Sequence, residues 1–301
     1  MNPLAAIWIM IVLSTLFWGS NFNAAHALAA DVTPLTAAAE RFALAMVVFL
    51  ALRLWHGKAE AQLRLRDGLS LVPLGLIGVF GFNYAFFVAL NTTSALNAAL
   101  IMALSPLLSV LLSALLLKTR ITRMQLIGIG VAFAGVSLVI TGGHFAQLEV
   151  AMGDLWMLLA CLVWSIYSVG AKRYAPHIPP LQFARWTVGI GALALILAAL
   201  LLEQPLMQLP SVALGDHALL LYMGICGSFL AYIFWLKGVH ALGPDKAAIA
   251  FNLVPVFTLL VNLALGHFPN GVQVAGLVLV LVGVMIFNDK LALPTWRRQA
   301  A

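Results

Sequence analysis

The chain has 301 residues, 63% of them hydrophobic and 9% charged, with a mean hydropathy of +1.04. Soluble domains carry about 25% charged residues, so a soluble fold of this composition would lack the polar groups to cover its surface. A spanning helix takes roughly 20 apolar residues, so an integral membrane protein of ten spans uses up this length. That leaves no room for a soluble catalytic domain or an ATP-binding cassette.

In chain order, the apolar runs predict spans at 4–29, 34–55, 69–90, 95–117, 123–141, 154–174, 180–202, 215–239, 244–266 and 271–289. The first ends in Ala27-Leu28-Ala29, a pattern seen at signal-peptide cleavage sites. No Lys or Arg precedes it, and Trp18, Asn21 and Asn23 interrupt it, so it reads as a mature helix. Basic residues fall in alternate connections: Arg53, Lys58, Arg64 and Arg66; Lys118, Arg120 and Arg123; Lys172, Arg173 and Arg185; Lys237 and Lys246; and Lys290, Arg297 and Arg298 in the tail. Fifteen of the sixteen Lys and Arg thus lie on one side, and the sixteenth, Arg41, is inside a span. Basic loops stay in the cytoplasm, which predicts both termini inside. It also makes the net charge of +6 a matter of topology rather than a nucleic-acid patch. Cys161 and Cys226 sit in apolar runs without a second ligand nearby, so neither a disulfide nor a metal site is expected.

The two halves repeat. Trp18 and Pro34 match Trp164 and Pro180 at a shift of 146, as Gly78-x-x-Gly81 matches Gly224-x-x-Gly227. Pro106 matches Pro255 at a shift of 149, and Gly128 and Gly135 match Gly276 and Gly283 at 148. The domains are therefore two five-helix units, 1–145 and 146–301, forming one transport unit. An odd unit starts its second copy on the opposite side of the membrane, so the expected fold is all-α with two inverted repeats. Such transporters bind substrate near the midplane, between the repeats.

Phe17-Trp18-Gly19-Ser20-Asn21-Phe22 in the first span, Arg41-Phe42 after Pro34, Ala98-Ala99-Leu100 leading to Leu104-Ser105-Pro106, and Gln125-Leu126-x-Gly128 together resemble the drug/metabolite transporter superfamily, EamA type. The resemblance covers essentially the whole chain. It implies ten helices in inverted repeats and export of small metabolites; within the family the sequence looks most like the YddG-type exporters of aromatic amino acids. One departure is clear. The family's Gly-Glu pair closing the fourth and ninth helices is replaced by Lys118-Thr119-Arg120 and Gly266-His267, so no coupling role of those carboxylates carries over.

Trp18 and Trp164 lie near the middle of their spans, and each needs a partner for its N–H. They either line a central cavity or pack between helices. Asn21, its repeat counterpart Tyr167 with Ser168, and Asn83, Asn97 and Asn252 offer uncharged donors and acceptors to a zwitterion; interhelical bonding is the other reading. Tyr84, Phe87, Tyr232 and Trp235 could stack on an aromatic substrate or simply pack. Pro106 and Pro255 withdraw hydrogen bonds from the carbonyls of Met102 and Phe251, which marks either a hinge or backbone site or a plain kink. Glu40, Arg41 and Arg185 are read as gating or structural charges, and the two glycine pairs as sites of close helix approach.

The function expected is secondary export of small neutral, chiefly aromatic, amino acids. Another small metabolite or a cationic drug is the alternative. No zinc signature, paired deep aspartates or nucleophile–base set suggests an enzyme. No cofactor and no nucleic-acid partner is expected. The chain should work as a monomer among membrane lipids, as a multi-pass protein of the plasma membrane (the bacterial inner membrane).

Overall fold

The computed structural model describes residues 3–56, 63–118, 120–140, 143, 151–242, 250, 251 and 253–287, and every regular element among them is helical. In chain order these are α1 (Pro3–Leu28), α2 (Pro34–His56), α3 (Leu65–Leu90), α4 (Ala95–Met102), α5 (Ser105–Leu117), α6 (Arg123–Ile140), α7 (Met152–Tyr174), α8 (Pro180–Leu202), α9 (214–242), α10 (Leu253–Ala264) and α11 (Gly271–Phe287). Seven stretches are long and apolar enough to cross a bilayer, and the three helices 123–139, 253–264 and 271–287 are shorter but also apolar. Hydrocarbon offers no partner to backbone N–H and C=O groups, so apolar runs of this length satisfy them within helices. On α8, Leu193, Leu197 and Leu201 face outward, while Gly191, Leu195 and Ala199 are buried.

Local chemistry sets the helix ends. Pro34 and Pro180 open α2 and α8, where a missing N–H costs nothing. Thr122 and Gln125 bond reciprocally through side chain and backbone at the start of α6 (2.8 and 3.2 Å). Asn270 and Gln273 do the same before α11 (3.1 and 2.8 Å). These are capping boxes in matching places of the two halves.

Three features depart from the sequence expectation. First, α3 and α9 are not plain helices: π-helical segments Leu76–Gly81 and Met223–Leu230 interrupt them. Gly78 and Gly81 lie in the first, Gly224 and Gly227 in the second, so the matched glycines mark matched π segments. Second, the span Ala95–Leu116 is interrupted just before Pro106. The chain breaks at Ala103 and Leu104 and restarts at Ser105, placing Pro106 in the first turn of α5. Pro255 lies in α10, with helical residues described on both sides of it, at 250, 251 and 253–264. Third, the connection after α8 carries a short helical turn, Pro205–Gln208.

The halves pack by exchange. α1 lies on α9 and α10, while its counterpart α7 lies on α3, α4 and α5. α2 packs on the π segment of α9, and α8 on that of α3. The counterpart pairs α2–α8 and α6–α11 pack on each other. One contact shows the exchange at atomic detail. Ser165 Oγ donates to Ser105 O at 3.0 Å, and a Cβ at the matching Gly19 would stand 2.7 Å from the matching Val254 O. At the α6–α11 crossing, a Cβ on Gly128 would lie 2.6 Å from Gly283 O, so only glycine permits this approach.

Candidate functional site

Two cavities meet in the middle of the bundle. The central one has a volume of about 150 Å3 and reaches residues of both halves, including Asn21, Arg41, Asn83, Ser228 and Pro255. The second, about 490 Å3, runs past Ser105, Pro106, Ser109 and Ser168 to Ala175, Pro176 and Pro180 in the connection between α7 and α8. Trp18, Trp164, Tyr167, Tyr232 and Phe251 border both. This aromatic layer holds itself by ring contacts: Trp18 is 5.2 Å from Trp235 and 5.6 Å from Phe251, and Trp164 is 5.4 Å from Tyr167 and 5.3 Å from Phe82.

The polar atoms of the central cavity stand on the π segments. Trp18 Nε1 donates to Gly227 O at 3.0 Å. Asn83 Nδ2 donates to Val79 O at 2.8 Å, and Ser228 Oγ donates to Met223 O at 3.2 Å. The Asn21 side chain lies against the bare Cα of Gly227, where a Cβ would overlap it, and the Tyr167 ring lies in the same way against Gly78. Asn21 is 3% exposed, and its Oδ1 has no hydrogen-bond partner among the described residues. Tyr167 Oη is 3.2 Å from Thr187 Oγ1.

Arg41, expected as a gating or structural charge, lines this cavity. Its neighbour Glu40 points elsewhere, as successive residues on a helix must. Glu40 Oε1 is 2.8 Å from His217 Nδ1, at the α2–α9 contact. Arg185 is half-buried early in α8 and borders neither cavity. Tyr84 packs between Phe80 and Trp156, Phe87 packs on Phe86, and Asn97 Oδ1 accepts from Gln273 Nε2 at 2.9 Å; none of the three borders either of these two cavities. Asn252 lies outside the described residues.

The end of the bundle opposite the wide cavity is closed by polar contacts. Glu203, at the end of α8, accepts from Leu35 N (3.0 Å) and Thr36 N (2.7 Å), and also from the Thr36 hydroxyl (3.0 Å). A carboxylate from one half thereby caps the free N–H groups and positive dipole end of a helix in the other. The hydroxyls of Ser20 and Tyr222 are bonded, as are Thr93 and Asp154. The sequence reading missed Glu203, Ser228 and the ring of Phe251, a residue it named only for its carbonyl. Glu203 could have been found as the acid closing α8; Ser228 and Phe251 carry no signal beyond neighbouring a matched glycine and a matched proline.

The profile of the EamA-like transporter family matches residues 5–141 and again 151–288. A Bacillus subtilis (strain 168) protein named uncharacterized transporter YyaM is 36% identical over 96% of this chain and 96% of its own. A Salmonella typhimurium protein named probable amino-acid metabolite efflux pump is 27% identical over 92% of this chain and 93% of its own. A solved crystal structure superposes with a TM-score of 0.67 at 22% identity, covering 96% of this chain and 99% of that one, which is a likeness of fold. Apolar helices and transporter relatives together make this a multi-pass plasma-membrane protein.

Proposed function

The chain belongs to the EamA-like transporter family, and from that premise we propose that it exports small neutral, chiefly aromatic, amino acids by alternating access, as the YddG-type exporters do. The observation that carries this reading is the aromatic layer between the two cavities. It offers apolar faces to a ring, while Asn21, Asn83 and Ser228 offer uncharged polar atoms to a zwitterion. The amino-acid name of the Salmonella relative supports the same class.

The proposed topology is ten spans with both termini inside and the halves, 1–145 and 146–301, inverted. The alternation of basic connections, the double family match and the exchanged packing support it. The wide cavity then opens to the cytoplasm beside Lys172 and Arg173, and the Glu203 contacts close the outside, so the conformation is inward-facing. Glu40 pairs with His217 and does not border the cavity, which favours downhill transport without a proton. A cationic drug is the weaker reading, because no carboxylate of a described residue borders either cavity.

The test is efflux of labelled phenylalanine from preloaded cells. Cells making the protein should lose label faster than cells making the Trp18→Ala, Trp164→Ala double variant at equal membrane level. Equal rates would refute the reading.

A further inference from the structure

Arg41 is 7% exposed and borders the central cavity, yet no carboxylate of a described residue pairs with it. Its Nε donates to Ser228 Oγ at 2.9 Å and its Nη1 approaches Asn83 Oδ1 at 3.4 Å. Both acceptors are neutral, and both are anchored to π-segment carbonyls, one from each half. A guanidinium has five N–H donors. The other three have no acceptor among the described residues. The rings of Phe42 and Phe86, 5.1 and 6.0 Å from Cζ, give the cation partial support. Taking such a charge out of water is costly unless a counter-charge meets it.

Resting on the amino-acid reading and narrowing it, we propose that Arg41 is a carboxylate anchor, and that the protein selects substrates by their carboxyl group. A planar carboxylate matches the guanidinium fork. The ammonium of an amino acid then meets the unpartnered Oδ1 of Asn21, whose side chain packs on Gly227, next to Ser228. A single arginine among neutral groups suits a monoanionic head. A phosphate dianion would call for a cluster of basic residues, and no other Lys or Arg among the described residues borders the central cavity. The volume of about 150 Å3 is that of a cavity able to hold a benzene ring, so the anchored molecule is one small unit rather than a peptide.

The experiment measures equilibrium binding of four labelled probes to the purified full chain: phenylalanine, 3-phenylpropanoate, phenylalaninamide and 2-phenylethylamine. The two carboxylates should bind about tenfold or more tighter than the amide and the amine, the range given by charge-assisted hydrogen bonds. Arg41→Gln should erase the difference and Arg41→Lys keep part of it, with gel filtration confirming that each variant folds. Should Arg41→Gln fail to fold, the acid-against-amide comparison on the wild type decides. Equal binding of phenylalanine and its amide, or a preference that survives Arg41→Gln, overturns the anchor and leaves amino-acid export standing. Arg41-dependent binding of 3-phenylpropanoate without phenylalanine keeps the anchor and refutes the amino-acid reading. Absence of binding by either carboxylate overturns the anchor.

Discussion

Trp18 of the first half gives its indole N–H to the carbonyl oxygen of Gly227, inside the π segment of the second half, at 3.0 Å. The ring thereby packs between helices and borders both cavities at once. Widened π turns present carbonyls that a regular helix keeps to itself, and they recur at functional sites. Trp18→Phe keeps an aromatic ring and removes the donor, leaving the Gly227 carbonyl to find another partner. The expected loss is about 1–2 kcal/mol of stability, with transport slowed but present. Trp18→Ala also removes the ring and should cut the initial rate by about tenfold or more. Thermal unfolding in detergent and initial rates at equal protein check both.

The Glu203 contact makes a second expectation. Its carboxylate takes two backbone N–H groups and the hydroxyls of Thr33 and Thr36 across the interface of the halves. Glu203→Gln removes the charge that the α2 N-terminus favours, so the outward-open state should gain by roughly 1.5–3 kcal/mol. The readout is an Ala99→Cys reporter in the central cavity, with Cys161 and Cys226 replaced by alanine. An impermeant maleimide added outside should label it about tenfold faster in Glu203→Gln than in the parent. Unchanged labelling would mean that Glu203 does not hold the outer closure.

Close approach of α6 and α11 gives a paired stability test. A leucine at position 128 would drive its Cβ into Gly283 O and Phe287 N, at 2.6 and 2.5 Å. At Gly130, two residues on, a Cβ would meet nothing within 4 Å. Gly128→Leu should therefore abolish the folded monodisperse peak in gel filtration, whereas Gly130→Leu should stay within about 0.5 kcal/mol of the parent.

Much of this was legible in the sequence because it follows from composition and punctuation. Prolines 34 and 180 open helices, the paired glycines sit where α6 meets α11, and Trp18 and Trp164 reach the centre. What the sequence hid depends on register and on partners far along the chain. The Gly-x-x-Gly matches pointed to a shared feature without revealing that it was a π segment, because hydropathy does not distinguish one helical register from the next. Arg41 looked like a gate because its depth resembled that of Glu40. Only the roughly 100° step between adjacent helical residues, resolved against α9, sends one to His217 and the other to the cavity. Tyr84 and Phe87, on the aromatic-rich α3, turned away from the cavity because neighbouring rings there took them up.

Counterflow in liposomes tests the central claim most directly. Purified protein is reconstituted, the lumen is loaded with unlabelled phenylalanine, and trace labelled phenylalanine is added outside. An alternating-access carrier should accumulate label transiently, with or without a pH difference, and Glu40→Gln should leave that exchange substantially intact. No accumulation with any aromatic amino acid, or accumulation only under a pH gradient and lost in Glu40→Gln, would contradict it.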